Sequence, residues 1–197
     1  MHDLENPTRG VLTDDKVVVE ARFGGLLRSL LHERGWTEDD PWTPLVHDLQ
    51  DPVEVPSSRV ETVAHDRVAD RVAVQRAAFD QSSFTADQWT VMSQSPAYRH
   101  ARCLVGYDDQ DEAVAAVTVW SAGEGRPGLL EPLGVHRHHR GRGYGTAISL
   151  SAASTLRDMG ASSATVATPT SNTGAVATYA SAGFRRLPAI TDFAFRR

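Results

Sequence analysis

Residues 135–146 read Val135-His136-Arg137-His138-His139-Arg140-Gly141-Arg142-Gly143-Tyr144-Gly145-Thr146. Before them, residues 128–135 read as a strand, interrupted by Pro132. Proline gives no donor to a ladder, so it belongs at a bulge or where strands part. After them, residues 143–159 read as a long helix closed by Gly160. A glycine-rich strand-to-helix turn is suited to phosphate. The first helical amides have no intrahelical partners, the helix dipole is positive there, and glycine lets an anion approach the backbone. Arg140 and Arg142 would add positive charge.

Two familiar phosphate motifs do not fit. A dinucleotide fingerprint needs a last glycine where Thr146 stands, and no acidic residue follows about twenty positions on. A P-loop needs Gly-Lys-Ser/Thr, and the turn has no lysine. The spacing that fits is Arg/Gln-x-x-Gly-x-Gly/Ala, filled by Arg140, Gly143 and Gly145. Here the sequence resembles the GCN5-related N-acetyltransferase (GNAT) superfamily, in which this turn binds the pyrophosphate of acetyl-coenzyme A. A second stretch, Asn172 to Phe184, looks like the family's late Asn-x-x-Ala-x-x-x-Tyr-x-x-x-Gly-Phe segment, filled by Asn172, Ala175, Tyr179, Gly183 and Phe184. The two motifs and the element order cover roughly residues 59–197.

The resemblance implies an α+β fold with a mixed, mostly antiparallel central sheet, a splayed strand pair and flanking helices (the acyl-CoA N-acyltransferase fold). It implies acetyl-coenzyme A as acetyl donor. The cofactor-binding residues would be Leu133, Gly134 and Val135 for the pantetheine arm, and Arg140, Gly141, Arg142, Gly143, Tyr144, Gly145 and Thr146 for the pyrophosphate. Asn172 would contact the cofactor, cap its helix, or do both. Tyr179 matches the family tyrosine that protonates the departing thiolate; the alternative is a packed aromatic at the core edge. Glu131 is the second catalytic candidate, as a base acting through water, against a purely structural carboxylate. Alternation puts it on the face of Leu133 unless the bulge shifts it. Arg137 stands where many relatives carry proline. The activity implied is acetyl transfer to a primary amine of a small molecule or peptide, by direct attack in a ternary complex. The alternative is a non-catalytic acyl-CoA-binding or sensing module.

Outward from this core, strands are expected at 60–63, 102–107, 113–120 and 161–168, the acidic stretch 108–112 being a hairpin turn. Val68, Val72 and Phe79 mark a helical face with Asp66 as a possible N-cap, and Thr85 with Gln88 fits a capping box for a second helix. Residues 51–58, with two prolines and two serines in the surrounding nine, read as a linker to a domain at 59–197. Residues 1–16 read as a flexible start. Residues 17–50 read as a strand-helix-strand appendage burying Leu27, Leu30 and Leu31. That order repeats the end of the main domain and resembles the remnant of a first domain, as in tandem family members such as mycothiol synthase.

Composition narrows the rest. The 197 residues fit about one domain plus an appendage. The net charge of −5 gives no ground for a nucleic-acid partner, and 19 of the 20 basic residues are arginine. Residues 131–197 carry eight basic and three acidic side chains, which favours an anionic ligand there. The single Cys103 closes no internal disulfide and builds no cysteine zinc site. Neighbouring His136, His138 and His139 sit in a turn committed to phosphate without an acidic ligand near in sequence, so no metal is expected. No apolar run reaches the ~20 residues of a membrane span, and the acidic start is unlike a secretory signal. These features predict a cytoplasmic protein with no membrane partner; a homodimer is left open.

Overall fold

A computed structural model describes residues 16–21 and 24–196. The expectation for residues 1–16 therefore lies outside the described residues, Lys16 excepted. The described residues divide into two compact units, one of those up to 44 with 167–173 and 187–196, the other of 45–166 with 174–186. The division differs from a boundary at 51–58, although that stretch holds no helix or strand.

In the smaller unit, β1 (Lys16–Val19) and β2 (Thr37–Glu38) flank the last strand, β10 (Phe193–Arg196), and both pair with it antiparallel. The helix α1 (Gly25–Glu33) contributes Leu31 to a core with Val17, Ala21, Trp36 and Phe193. Leu31 is fully buried, but Leu27 and Leu30 keep 37% and 36% exposure, so the expected apolar stripe is only partly covered. Gly35 closes the helix in left-handed backbone, with the Trp36 amide donating to the Leu31 carbonyl.

The larger unit is organised on a mixed sheet in the order β4-β5-β6-β7-β8-β3-β9. These strands are β3 (Trp42–Asp48), β4 (Val60–Thr62), β5 (Ala101–Tyr107), β6 (Ala113–Ser121), β7 (Pro127–Val135), β8 (Ser163–Pro169) and β9 (Arg185–Arg186). β4 to β7 pair antiparallel in succession, and β7 pairs parallel with β8. Alternate residues of β5 divide between two cores. Cys103, Val105 and Tyr107 pack with Val74 of α2 (Val68–Ala78) and Trp89 of α3 (Ala86–Gln94). Leu104 packs with Ile148 and Leu156 of α4 (Tyr144–Asp158) and with Tyr179 of α5 (Thr173–Ser181).

The expected capping box at Thr85 and Gln88 is present. Asp66 is not a cap: residues 65–67 form a single 3-10 turn and no side chain caps α2. Among the described residues, no helix is long and apolar enough to cross a membrane.

Candidate functional site

β7 is continuous in sequence but not in register. Leu133 pairs with Val117 and Leu130 with Val119, so Glu131 and Pro132 together oppose Thr118. This is the bulge expected at Pro132, and the Trp120 indole holds it by donating to the Glu131 carbonyl at 2.8 Å. The bulge shifts the alternation. Val117 and Val119 share a face, so their partners Leu133 and Leu130 do too, and Glu131 points to the opposite, exposed side. The expected common face of Glu131 and Leu133 is therefore corrected.

On the other edge, β7 pairs with β8 only from Pro127–Ser163 to Leu129–Thr165. β7 runs on to Val135, so among the described residues its edge from Leu130 onward has no ladder partner toward β8. Backbone donors and acceptors on that edge are available to a ligand. Gly134 is required by space: a Cβ there would lie 2.6 Å from the Ala78 Cβ and 2.9 Å from the Phe79 ring.

The open edge leads into the glycine turn. The His136 amide still bonds to the Val114 carbonyl, and residues 137–139 make one 3-10 turn. Gly143 is the N-cap of α4, with φ 86 and no side-chain cap. No acidic residue lies in the first helical turn, so the positive dipole end is uncompensated. The first backbone bond at this end is Ala147 N–H to Gly143 O at 3.0 Å, and among the described hydrogen bonds the amides of Tyr144, Gly145 and Thr146 have no backbone acceptor. The glycines act differently. Gly143 is fixed by its left-handed backbone, with open space where its Cβ would stand. Gly145 is fixed by packing, because a Cβ would lie 2.8 Å from the Thr178 Cγ2.

The arginines also separate. Arg140 Nη2 donates to the Ala78 carbonyl at 2.7 Å, and Arg137 donates to the carbonyls of Ala77 and Arg76 at 2.7 and 3.2 Å. Both cap the C-terminus of α2 and pin the turn to it, which gives a turn lacking proline an external brace. Arg142 is exposed and has no ion-pair partner among the described residues, so it is the cation free to meet an anion.

Tyr179 is 6% exposed, and its ring lies 5.8 Å from that of Phe184. Among the described residues its hydroxyl has no hydrogen-bond partner. Burial, and secondarily the charge of Glu131, push its phenol up to about 12, so it carries its proton at neutral pH. The two catalytic candidates are thus electrostatic neighbours. Asn172 immediately precedes α5, its amide donating to the Pro169 carbonyl, and it belongs to the smaller unit.

The sequence missed that the fold brings acids to His139. Its Nδ1 lies 3.7 Å from Asp108 Oδ2 and its Nε2 3.6 Å from Glu112 Oε2, and the three side chains together could hold a cation. The acids come from the β5–β6 hairpin, so only tertiary structure reveals the cluster. Burial and then the neighbouring His139, His138 and Arg137 push the His136 imidazole down from its ordinary value.

The family model described as Acetyltransferase (GNAT) family matches residues 68–184. No curated protein matches the sequence. Among solved structures, a GCN5-related N-acetyltransferase from Sphaerobacter thermophilus is 20% identical with a TM-score of 0.71, over 92% of this chain and 59% of that one. A GCN5-related N-acetyltransferase from Kribbella flavida is 18% identical with a TM-score of 0.65, over 91% of this chain and 66% of that one. A tandem GNAT protein from the clavulanic acid biosynthesis pathway is 16% identical with a TM-score of 0.66, over 92% of this chain and 63% of that one. The chain thus spans about three fifths of the length of the Sphaerobacter protein. At these identities the likeness is one of fold. With the family model matching more than half of its length, the chain belongs to the GNAT family of acetyltransferases.

Proposed function

We propose that the protein transfers the acetyl group of acetyl-coenzyme A to a primary amine by direct attack in a ternary complex. The observation that carries this reading is the unpaired edge of β7 beyond Leu129, continuing into the free amides of α4. The pantetheine arm runs along Leu133, Gly134 and Val135. The pyrophosphate sits on the amides of the turn, Gly141 to Thr146, with Arg142 adding charge. Arg140 serves mainly by holding the turn to α2.

In the reaction the neutral amine attacks the thioester carbonyl and forms the C–N bond. The oxyanion is received by donors of the β7 edge, and collapse breaks the C–S bond. Tyr179 hydrogen-bonds the departing sulfur and gives it a proton. With its phenol at about 12, against ~8.5 for an ordinary thiol, complete transfer to a free thiolate is uphill, so Tyr179 shares its proton with the sulfur in concert with C–S cleavage, and the proton released by the amine replaces it. Glu131, exposed at the bulge and close enough for its charge to act on Tyr179, takes the amine's proton through water.

Tyr179→Phe is expected to lower kcat by roughly 10²–10⁴-fold with acetyl-coenzyme A affinity nearly intact, because only proton delivery is lost. Stopped-flow turnover and calorimetry measure the two. Wild-type kcat in this variant, with chemistry limiting, removes Tyr179 from the mechanism. Tight acyl-CoA binding with no turnover across an amine panel overturns catalysis and leaves a binding module.

A further inference from the structure

Where the β5–β6 hairpin meets the turn before α4, Asp108, Glu112 and His139 form a cluster that the acetyl-transfer chemistry does not use. The Asp108 side chain is 3% exposed. Its Oδ1 accepts from the amides of Gln110 and Glu112 at 3.0 and 2.9 Å, which fixes the carboxylate in the hairpin. Its Oδ2 has no hydrogen-bond partner among the described residues and faces His139 Nδ1, a buried nitrogen that also has none. The gap between these atoms is 3.7 Å, and that between His139 Nε2 and Glu112 Oε2 is 3.6 Å. Both are too long for a hydrogen bond. Asp111 of the same hairpin is engaged by Arg59, but among the described residues no lysine or arginine pairs with Asp108 or Glu112. The His139 ring is itself held in place, edge to face with His136 at 5.2 Å and beside Tyr144 at 6.3 Å between centroids.

We propose that these three side chains hold a divalent transition-metal ion of the zinc kind, through one oxygen of Asp108, one of Glu112 and one ring nitrogen of His139. Each residue already brings one such atom within 4.8 Å of the other two. Ligands about 2.1 Å from one ion stand ~3.4 Å apart at a tetrahedral angle and ~4.2 Å apart when opposite, so small side-chain rotations close the cluster onto a single ion. Two carboxylates and a neutral imidazole present a double negative charge, which a divalent cation cancels, and a buried carboxylate without such a partner is costly. The imidazole nitrogen selects zinc-like ions over magnesium and calcium, which take oxygen ligands. The Glu112 side chain is 68% exposed, so an ion enters from that side and keeps water in its remaining positions. The task of the ion is structural. It ties the hairpin to the residue before Arg140, at the start of the stretch whose amides are free. The site stands independently of the acetyl-transfer reading.

The test titrates chelator-treated full-length protein with zinc chloride by calorimetry and reads the thermal midpoint alongside. The wild-type protein should show one saturable site, and zinc at about a hundredfold over its Kd should raise the midpoint by roughly 5–10 °C. Glu112→Gln and His139→Gln should each weaken zinc by at least about tenfold and, at that same zinc concentration, cut the shift by about half or more. Glu112→Gln alters an exposed side chain, so it reads the site even if His139→Gln disturbs folding. Asp109→Asn and His138→Gln change exposed neighbours outside the cluster and should leave both readings near wild-type values. Magnesium and calcium at the same concentration should give no shift. Absence of a saturable zinc site overturns the proposal and leaves the cluster as a set of ion pairs. Zinc binding indifferent to Glu112→Gln, or weakened as much by the two control changes, is adventitious binding to surface histidines and overturns it as well. An equal response to magnesium or calcium overturns the transition-metal class and the place of His139 among the ligands.

Discussion

At the scale of single residues, the glycine turn separates two demands that look alike in sequence. Gly143→Ala forces a side chain into left-handed backbone and should destabilise the fold by about 1 kcal/mol. It should also weaken acetyl-coenzyme A binding, because the N-cap geometry aims the amides. Gly145→Ala meets Thr178 instead and should destabilise by ~1–3 kcal/mol through overpacking. Thr178→Ser removes the clashing methyl and keeps the hydroxyl that donates to Gly174, so the double variant should recover much of the loss. Urea midpoints for the four proteins check this, and strict additivity would mean that the contact is not the cause. The His136 imidazole should titrate below ~6.5 in an NMR pH series, since burial and the surrounding cations oppose its charge. For such a group stability is complete above the unfolded value and declines as pH falls below it. The sequence showed that this turn needs glycine and positive charge. It could not show which arginine is free: Arg140 and Arg142 differ only in the direction of their side chains, and the carbonyl that occupies Arg140 belongs to a helix more than sixty positions away.

At the scale of elements, helix ends and strand spans were the most legible features, because their signals are local. Gly35, Gly160 and Gly183 all close helices in left-handed backbone, and in each case the next amide reaches back to the last turn. Thr85 and Gln88 form their predicted box. Asp66 failed as a cap because the chain enters α2 through a 3-10 turn, which offsets the amides from its carboxylate. The bulge at Pro132 was readable, but its effect on facing was not, since that depends on which β6 residues it opposes. The brace between the turn and α2 was invisible for the same reason. Arg137→Gln and Arg140→Gln should each destabilise by about 1 kcal/mol by removing charged donors from the last carbonyls of α2. Arg142→Gln should leave the urea midpoint alone and weaken acetyl-coenzyme A most at low salt. The reverse assignment of these two phenotypes would restore Arg140 as the phosphate ligand.

At the scale of the whole molecule, burial makes the protein sensitive to alkali. Burial leads the causes that raise Tyr98 and Tyr179 to about 12, and it raises Tyr107 together with its hydrogen bond to Asp70. Below ~10 these phenols are protonated in both states and contribute no pH dependence. Above it the unfolded chain releases protons that the folded chain retains, so stability should fall steadily as pH rises. Urea midpoints at about pH 9 and about pH 11 read the loss, and a flat profile would mean that these rings are solvated. Pairings between distant segments were the least legible part of the fold. No local pattern announces that Phe193 to Arg196 lies between two strands from the start of the described chain. That placement has a consequence for how the protein is made. A ribosome delivers β1, α1 and β2 long before it delivers the strand that joins them. Val17, Leu31 and Trp36 therefore emerge with no Phe193 to close over them. The larger unit can collapse while synthesis continues, but the smaller one must wait as open, adhesive chain until nearly the last described residue has left the exit tunnel.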